Sequence, residues 1–420
     1  MSWMRRSRFS RSSRLASQLA GHKRLWAPIV GLALLLTAAP SSAQPRDFGI
    51  QIVEPTRETL REIAPFASLV TLPADHPELS ELLRYARSQG LRVSLYMEPM
   101  FFESVGGRLL LWPTYRTRFQ NFVALHGEAI NQETVWALYL IDEPFHRGVA
   151  VEDLETVQRM VEKSFPLIPT VTSLNIFDLE QVPTDLPNDV LDIVGLHMYA
   201  VPGSLAENVD FQRAVALLDQ RFPHRDKMIV ADTWWAEGRH GAIELTPEDV
   251  GERFSQYLDA ARAMGATVVG AFLWESFAGG TGLRDFPDET LRVVQNQAAE
   301  ISGKCGIPDG FDPLAGGGYL FFQDCRFVAT VAWNDPATDE SGVGTAVRVS
   351  DDTGMFWFFD ERNIELTVKL LDGRGFNDHW WVFWSDMTTL DITITLTDRQ
   401  TGAIRTYTEP ASDVTAFAEP

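Results

Sequence analysis

Eight short apolar runs alternate with amphipathic segments between Asp47 and Ser302, and this alternation leaves few architectures open. The runs are Phe48–Val53, Ser68–Leu72, Arg92–Met97, Val135–Ile141, Pro169–Leu174, Asp192–His197, Lys227–Ala231 and Val268–Leu273. A strand that is apolar almost throughout must be covered on both faces, which is the condition of a parallel sheet under helices. The intervening segments carry helical spacing. His76–Gln89 sets Leu79, Leu82, Leu83 and Ala86 on one face and stops at Gly90. Thr246-Pro247-Glu248-Asp249 predicts a capped helix start with proline at the first position. Val250, Phe254, Tyr257, Leu258 and Ala261 then share a face before Gly265, a helix-stopping glycine. Eight strand–helix units over residues 44–303 predict a (β/α)8 TIM barrel. An open doubly wound sheet is the competing α/β arrangement. Its Gly-rich phosphate loop is missing, because the first run leads into Val53-Glu54-Pro55-Thr56.

Residues 1–43 read as a secretory signal peptide rather than as part of the fold. Arg5, Arg6, Arg8, Arg11, Arg14, Lys23 and Arg24 precede an apolar run from Trp26 to Pro40, and Ser41-Ser42-Ala43 supplies a cleavage site. A membrane anchor is the competing reading, but the run falls short of the ~20 residues that span a bilayer. Arg5-Arg6 hints at the twin-arginine route, although the residues after it match that signal poorly. Export to the periplasm or medium is the expectation, with no membrane association after cleavage.

Charge supports a water-facing life. The chain holds 36 Lys and Arg against 57 Asp and Glu, a net −21. Without the seven basic residues of the leader the balance is 29 against 57, a net −28. Such a surface repels nucleic acid and anionic membranes. Two cysteines, Cys305 and Cys325, stand where the sequence changes character. In an exported chain they predict one disulfide.

After Gly303 the period switches. Residues 304–325 read as a linker rich in Gly, Pro and Asp, and 326–420 as a β-sandwich. Its seven period-two runs are Arg326–Trp333, Thr345–Val349, Met355–Phe359, Ile364–Leu370, Trp380–Trp384, Leu390–Thr397 and Ala403–Tyr407. Trp333, Trp357, Trp380, Trp381 and Trp384 admit a sugar-binding reading, but aromatics at this period are expected chiefly in the core.

A barrel presents its reactive groups at the carboxyl ends of its strands. Those ends offer, in order, Glu54, Asp75, Glu98, Asp142-Glu143, Asn175, His197 with Tyr199, Asp232 with Trp234 and Trp235, and Trp274-Glu275. If Trp234 and Trp235 continue a strand, at most one faces the site. Convergent carboxylates beside flat rings suit glycoside hydrolysis, in which one carboxyl protonates the leaving oxygen and a second attacks or activates water. Each has a structural alternative: helix capping for Asp142-Glu143, rim packing for His197 and Tyr199, and rim ion pairs for Glu54 and Glu98 with Arg57 or Arg92. No metal and no cofactor is expected: there is no His-x-His after the first run, no nucleotide fingerprint and no Gly-x-Ser-x-Gly elbow.

Tyr-Leu-Ile-Asp-Glu-Pro-Phe, residues 139–145, resembles the fourth-strand motif of clan A glycoside hydrolases, in which Asn-Glu-Pro is common. His197-Met198-Tyr199 resembles the clan's His-x-Tyr after strand six, and Trp274 its tryptophan after strand eight. The resemblance implies Glu143 as general acid/base, Tyr199 as a partner of the nucleophile, Trp274 as a sugar platform, and an oligo- or polysaccharide as substrate. Two departures stand out. Asp142 replaces the asparagine, and Ala231-Asp232-Thr233 stands where the clan carries a glutamate nucleophile. Asp232 or Glu275 is left as the second carboxylate; Asp142, Asn175, His197, Trp234 and Glu98 remain candidate sugar contacts. A barrel that has lost catalysis and binds glycans, or acts as a surface interaction protein, is the alternative. The small domain resembles a C-terminal module of varied secreted bacterial proteins, on Arg326–Trp333, residues 352–359, Ile364–Gly373 and Arg405-Thr406-Tyr407. The mature protein is expected to begin at Gln44. Intact-mass measurement of the secreted form checks this, and retention of residues 1–43 would contradict it.

Overall fold

The computed structural model describes residues 44–183, 186, 190–306, 308 and 318–411. The segment 1–43, read above as a signal peptide, lies outside them. The eight apolar runs form eight parallel strands: Asp47–Gln51, Leu69–Pro73, Arg92–Tyr96, Val135–Asp142, Thr170–Leu174, Ile193–His197, Asp226–Ala231 and Val268–Ala271. They are numbered one to eight below. Each pairs with the next, and strand one closes on strand eight through Asp47 opposite Val268 and Ile50 opposite Ala271. The fold is therefore a closed (β/α)8 barrel. Strands five and six are buried at every residue, as a wall between a barrel interior and an outer helix ring must be.

Each strand is followed by a helix, the first being Arg57–Ile63 and the last Asp288–Ser302. Their buried stripes pack on the barrel wall, and each large apolar side chain so buried contributes roughly 1.5–3 kcal/mol. Two helix starts differ from expectation. The second helix begins at Leu79 rather than His76, and ends before Gly90, whose φ of 69° suits glycine. The seventh spans Asp249–Met264. There the Thr246 N–H and hydroxyl donate to the Asp249 carboxylate (2.7 and 3.0 Å), so Asp249, not Thr246, is the acceptor. Gly265 ends that helix in the left-handed region as expected.

Beyond the barrel, two antiparallel sheets face each other over a core of Leu320, Phe322, Phe356, Leu366, Ile392 and Ile394. The seven expected strands are all present, with two more. Glu340–Val343, between two of the expected strands, pairs with Phe327–Asp335. Tyr319–Phe322 pairs with the same strand inside the 304–325 linker, so the linker reading is too long at its carboxyl end. Core expectations for the tryptophans also need correcting. None of the five is buried, and Trp333 and Trp380 pack at the margin of an aliphatic and phenylalanine core.

Cys305 and Cys325 are bonded, with Cα atoms 5.2 Å apart. The bond ties the end of the barrel to the turn Gln323-Asp324-Cys325, whose three residues are all left-handed. Arg399 Nη1 donates to the carbonyls of both cysteines (3.0 and 3.2 Å). Loop-closure entropy for this separation gives a stabilisation of about 3 kcal/mol. Replacing both cysteines by serine is expected to lower unfolding free energy by about 2–4 kcal/mol. Denaturant unfolding with and without reductant measures it, and equal midpoints would deny the bond a stabilising role.

Candidate active site

A cavity of about 350 Å³ opens at the carboxyl ends of the strands and continues along the barrel axis. Its lining runs from His197, Tyr199 and Phe272 at the mouth to Leu69 and Val268, the first residues of strands two and eight. Barrel interiors are normally filled by side chains. Here Gly49 and Gly270 line the cavity, and a Cβ on either would press on its neighbour, Leu69 at 3.1 Å or Val230 at 3.3 Å.

Strand four delivers the carboxylates. Its pairing with strand five shifts register between Tyr139 and Ile141, and Glu143 follows with φ 48°, a region that side chains with a Cβ rarely adopt. Both Asp142 and Glu143 then line the cavity. Glu143 Oε1 accepts from Asn175 Nδ2 (2.7 Å) and from His197 Nε2 (2.8 Å). Oε2 has no partner among the described residues and is free for a ligand. The other ring nitrogen of His197, Nδ1, bonds Ser173 Oγ (2.7 Å). Asn175 caps the helix Ile176–Gln181 through a capping box with Asp178, and Asp178 Oδ1 accepts the N–H groups of Phe145 and His146 (2.9 Å each). The loop after strand four is thus locked to the helix after strand five.

The two carboxyls occupy different electrostatic environments. Burial alone would raise Glu143, but hydrogen bonds from His197 and Asn175 and the imidazolium charge outweigh it and bring Glu143 down to about 2. Burial likewise disfavours the His197 cation, yet Glu143 and Asp142 together hold its pKa above the usual value. Asp142 accepts from Tyr139 OH (2.8 Å) and lies 4.0 Å from His197 Nδ1. Its side chain is 38 % exposed, towards the cavity, against 26 % for Glu143. Burial, with the charges of Glu143 and Glu98, pushes it up to about 6 against the opposing pull of His197 and Tyr139.

The expected site residues divide. Asp142, Glu143, His197, Tyr199 and Trp234 line the cavity together. Trp235 turns away, its Nε1 donating to Leu245 O (2.8 Å). Asn175 holds Glu143 rather than lining the cavity. Glu98 is buried behind Asp142, where it accepts two hydrogen bonds from the Arg147 guanidinium (2.8 Å each) and one from Asp142 N (3.3 Å), so neither Arg57 nor Arg92 is its partner. Glu54 and Asp75 are exposed and do not line the cavity.

Three more expected site residues stand outside the cavity lining. Asp232 is 2 % exposed and does not line the cavity. Its Oδ2 accepts Ala200 N–H (2.7 Å) and His240 Nε2–H (2.9 Å), while Oδ1 is buried without a partner. His240 Nδ1 accepts from Ala236 N–H (3.0 Å), which leaves the ring proton on Nε2 for Asp232. Asp232 therefore pins Ala200, left-handed at φ 52°, and fixes the turn that carries Tyr199. Glu275 Oε2 accepts Val53 N–H (2.9 Å), outside the cavity. Trp274 is 2 % exposed, rests on Phe66 with ring centroids 5.5 Å apart, and donates from Nε1 to Glu62 (3.1 Å). Leu273, left-handed at φ 58°, breaks the alternation between them: Phe272 faces the cavity and Trp274 the core.

Sequence reasoning missed Phe272, Tyr96, Tyr139 and Arg239 as lining residues. Phe272, Tyr96 and Tyr139 had a signal, as aromatics on the runs of strands eight, three and four; Arg239 had none. Phe272 stacks on Tyr199 (4.6 Å), which stacks on His197 (5.1 Å), and Trp234 meets Phe272 edge-on (5.9 Å). These rings form an aromatic wall beside the carboxylates, with Tyr199 held between His197 and Phe272.

No family model matches the chain, and no curated protein matches it in sequence. Among solved structures it is similar to a putative α-L-fucosidase from Bacteroides thetaiotaomicron, at 10% identity and a TM-score of 0.44, over 66% of this chain and 99% of that one. It is also similar to a modular endo-β-1,4-mannanase from Cellulomonas fimi, at 12% identity and TM-score 0.42, over 87% and 93%. An endoglucanase from Pseudomonas stutzeri gives 13% identity and TM-score 0.43, over 60% and 94%. The functional reading below rests on this chain's own side chains.

Trp274→Ala is expected to destabilise the barrel by about 3–5 kcal/mol, as for a large core aromatic. Urea unfolding measures it. A loss below ~1 kcal/mol would return Trp274 to the list of candidate ligand contacts.

Proposed function

We propose that the protein is an exported glycoside hydrolase in which Asp142 donates the proton and Glu143 acts as the ionised carboxylate. One observation carries this: two carboxyls line one cavity in unlike surroundings, Glu143 bonded by His197 and Asn175, which favour its charge and lower its pKa, and Asp142 bonded only by the Tyr139 hydroxyl beside the charges of Glu143 and Glu98, which raise its pKa. Glycoside cleavage needs that division of labour, a protonated acid for the leaving oxygen and a carboxylate for the anomeric carbon or its attacking water. The acid role thereby moves from Glu143, implied by the resemblance, to its neighbour. Glu143 Oε2 is the oxygen left open for the reacting centre, and Phe272 and Trp234 supply the apolar face for the sugar, with Tyr199 held behind Phe272. Export belongs to the same reading. A disulfide suits an oxidising compartment, and among the described residues no helix is long and apolar enough to cross a membrane.

A second reading has one observation in its favour. Strand seven sends no carboxylate into the cavity, because Asp232 is bonded to Ala200 and His240, so a barrel that binds a glycan without cleaving it is the alternative. Turnover separates the two.

The pH dependence follows from the pKa directions. Glu143 must be ionised, so activity falls as pH drops towards about 2; Asp142 must be protonated, so activity falls as pH rises through about 6. An acidic optimum is expected. Asp142→Asn should lose ~10²–10⁴-fold in kcat on aryl glycosides with poor leaving groups, much less on those with good ones, and should lose the alkaline limb. Glu143→Gln should lose activity evenly across the series. The measurement is kcat against leaving-group pKa at several pH values. The reverse pattern would return the acid role to Glu143, and no turnover on any glycoside would favour the binding reading.

A further inference from the structure

Arg239 is the one lysine or arginine lining the cavity, and among the described residues its guanidinium is in no ion pair or hydrogen bond. Acidic residues outnumber basic ones 57 to 36 in this chain, and the other cation of the cavity, His197, is already paired with Glu143 at 2.8 Å. The guanidinium lies 5.9 Å from the centroid of the Trp234 ring. That ring is itself held, since the backbone of Gly280 packs so closely on it that a Cβ there would fall 2.0 Å from the indole. His240 also meets Trp234 edge-on at 5.9 Å, and His240 is anchored by Asp232. Arg239 therefore stands exposed at the mouth beside a fixed ring, with its donor fork unspent.

We infer that the cavity takes a sugar residue bearing an anionic substituent, a carboxylate or a sulfate ester, and that Arg239 receives that anion while the sugar face lies on the aromatic wall. This rests on the carbohydrate reading above and narrows its substrate class. A planar guanidinium matches either anion through two parallel N–H bonds, about twice as strong as neutral ones. The protein's overall field repels anionic ligands, so an unpaired cation inside the mouth acts where long-range steering cannot.

The test is equilibrium binding by calorimetry of glucuronate, galacturonate and glucose 6-sulfate, each against its neutral parent, glucose or galactose. The wild-type protein is expected to bind at least one anionic sugar roughly tenfold or more tighter than its parent. Arg239→Gln should erase that difference while leaving neutral sugars unchanged, and Arg239→Lys should keep part of it. Preference for the uronates alone, or for the sulfate as well, identifies which anion is read, and either supports the inference. No preference overturns it, as does an equal weakening of anionic and neutral sugars by Arg239→Gln, which would make Arg239 a packing partner of Trp234. Turnover of aryl glucosides and aryl glucuronides keeps the two readings apart. Anionic preference without turnover would overturn the hydrolase and leave the anion site. Turnover of neutral glycosides without that preference would do the opposite.

Discussion

The two hydrogen bonds that converge on Oε1 of Glu143, from Asn175 and His197, set the wall on which the cavity's chemistry depends. They bind three strands together at the mouth. Glu143 follows strand four, Asn175 caps the helix after strand five, and His197 ends strand six with its second nitrogen on Ser173 of strand five. Breaking such a pair in a poorly solvated place leaves an uncompensated charge, at a cost of ~3–5 kcal/mol. That penalty explains why a left-handed glutamate is tolerated here, since the cluster over-determines the backbone that presents it. With one oxygen committed to the protein, the other is directed to the cavity in a single orientation.

The barrel was legible because its code is coarse. Residues such as Val93, Leu138, Val171 and Ile229 must be apolar whichever face they occupy, so the runs stand out without knowledge of inside or outside. The sandwich was legible by its period, except where strands were short or hidden by composition. Tyr319–Phe322 is apolar but only four residues long and follows a Gly- and Pro-rich stretch, which masked it, whereas Glu340–Val343 is mostly polar and exposed and has no apolar signature to find. The tryptophans were misread because period two gives alternation but not depth. Trp333 and Trp380 lie at the edges of a core whose centre belongs to leucine, isoleucine and phenylalanine.

The site was legible as a set of strand ends but not as a set of directions. Strand alternation fails where a residue turns left-handed, and Glu143, Ala200 and Leu273 all do so at the mouth. One such turn exchanges Phe272 for Trp274 at the cavity. Another creates the bare Ala200 N–H that takes up Asp232. None of the three is glycine, so no residue type announces the turn. The partners that redefine Asp232 and Glu98, namely His240 and Arg147, come from loops with no motif to mark them. Long-range pairing of this kind is absent from local sequence pattern.

The adjacent placement of Asp142 and Glu143 makes physical sense through side-chain length. Two neighbouring carboxyls in one environment would repel and titrate as a pair. Here the shorter aspartate stays beside Tyr139 and in front of Glu98, where the Tyr139 hydroxyl only partly compensates burial and a second carboxylate adds to it. The longer glutamate reaches one methylene further, to an imidazolium and an amide that favour its charge. His197 contacts Glu143 at 2.8 Å and stands 4.0 Å from Asp142, so its charge is spent mainly on one of them. An asparagine at 142 would form a hydrogen bond but could not carry a proton between pH values. The aspartate found there gives the same wall a group that titrates in a range where the glutamate beside it stays ionised, and under the proposed hydrolase reading an acid and a base are thereby separated across a single peptide bond.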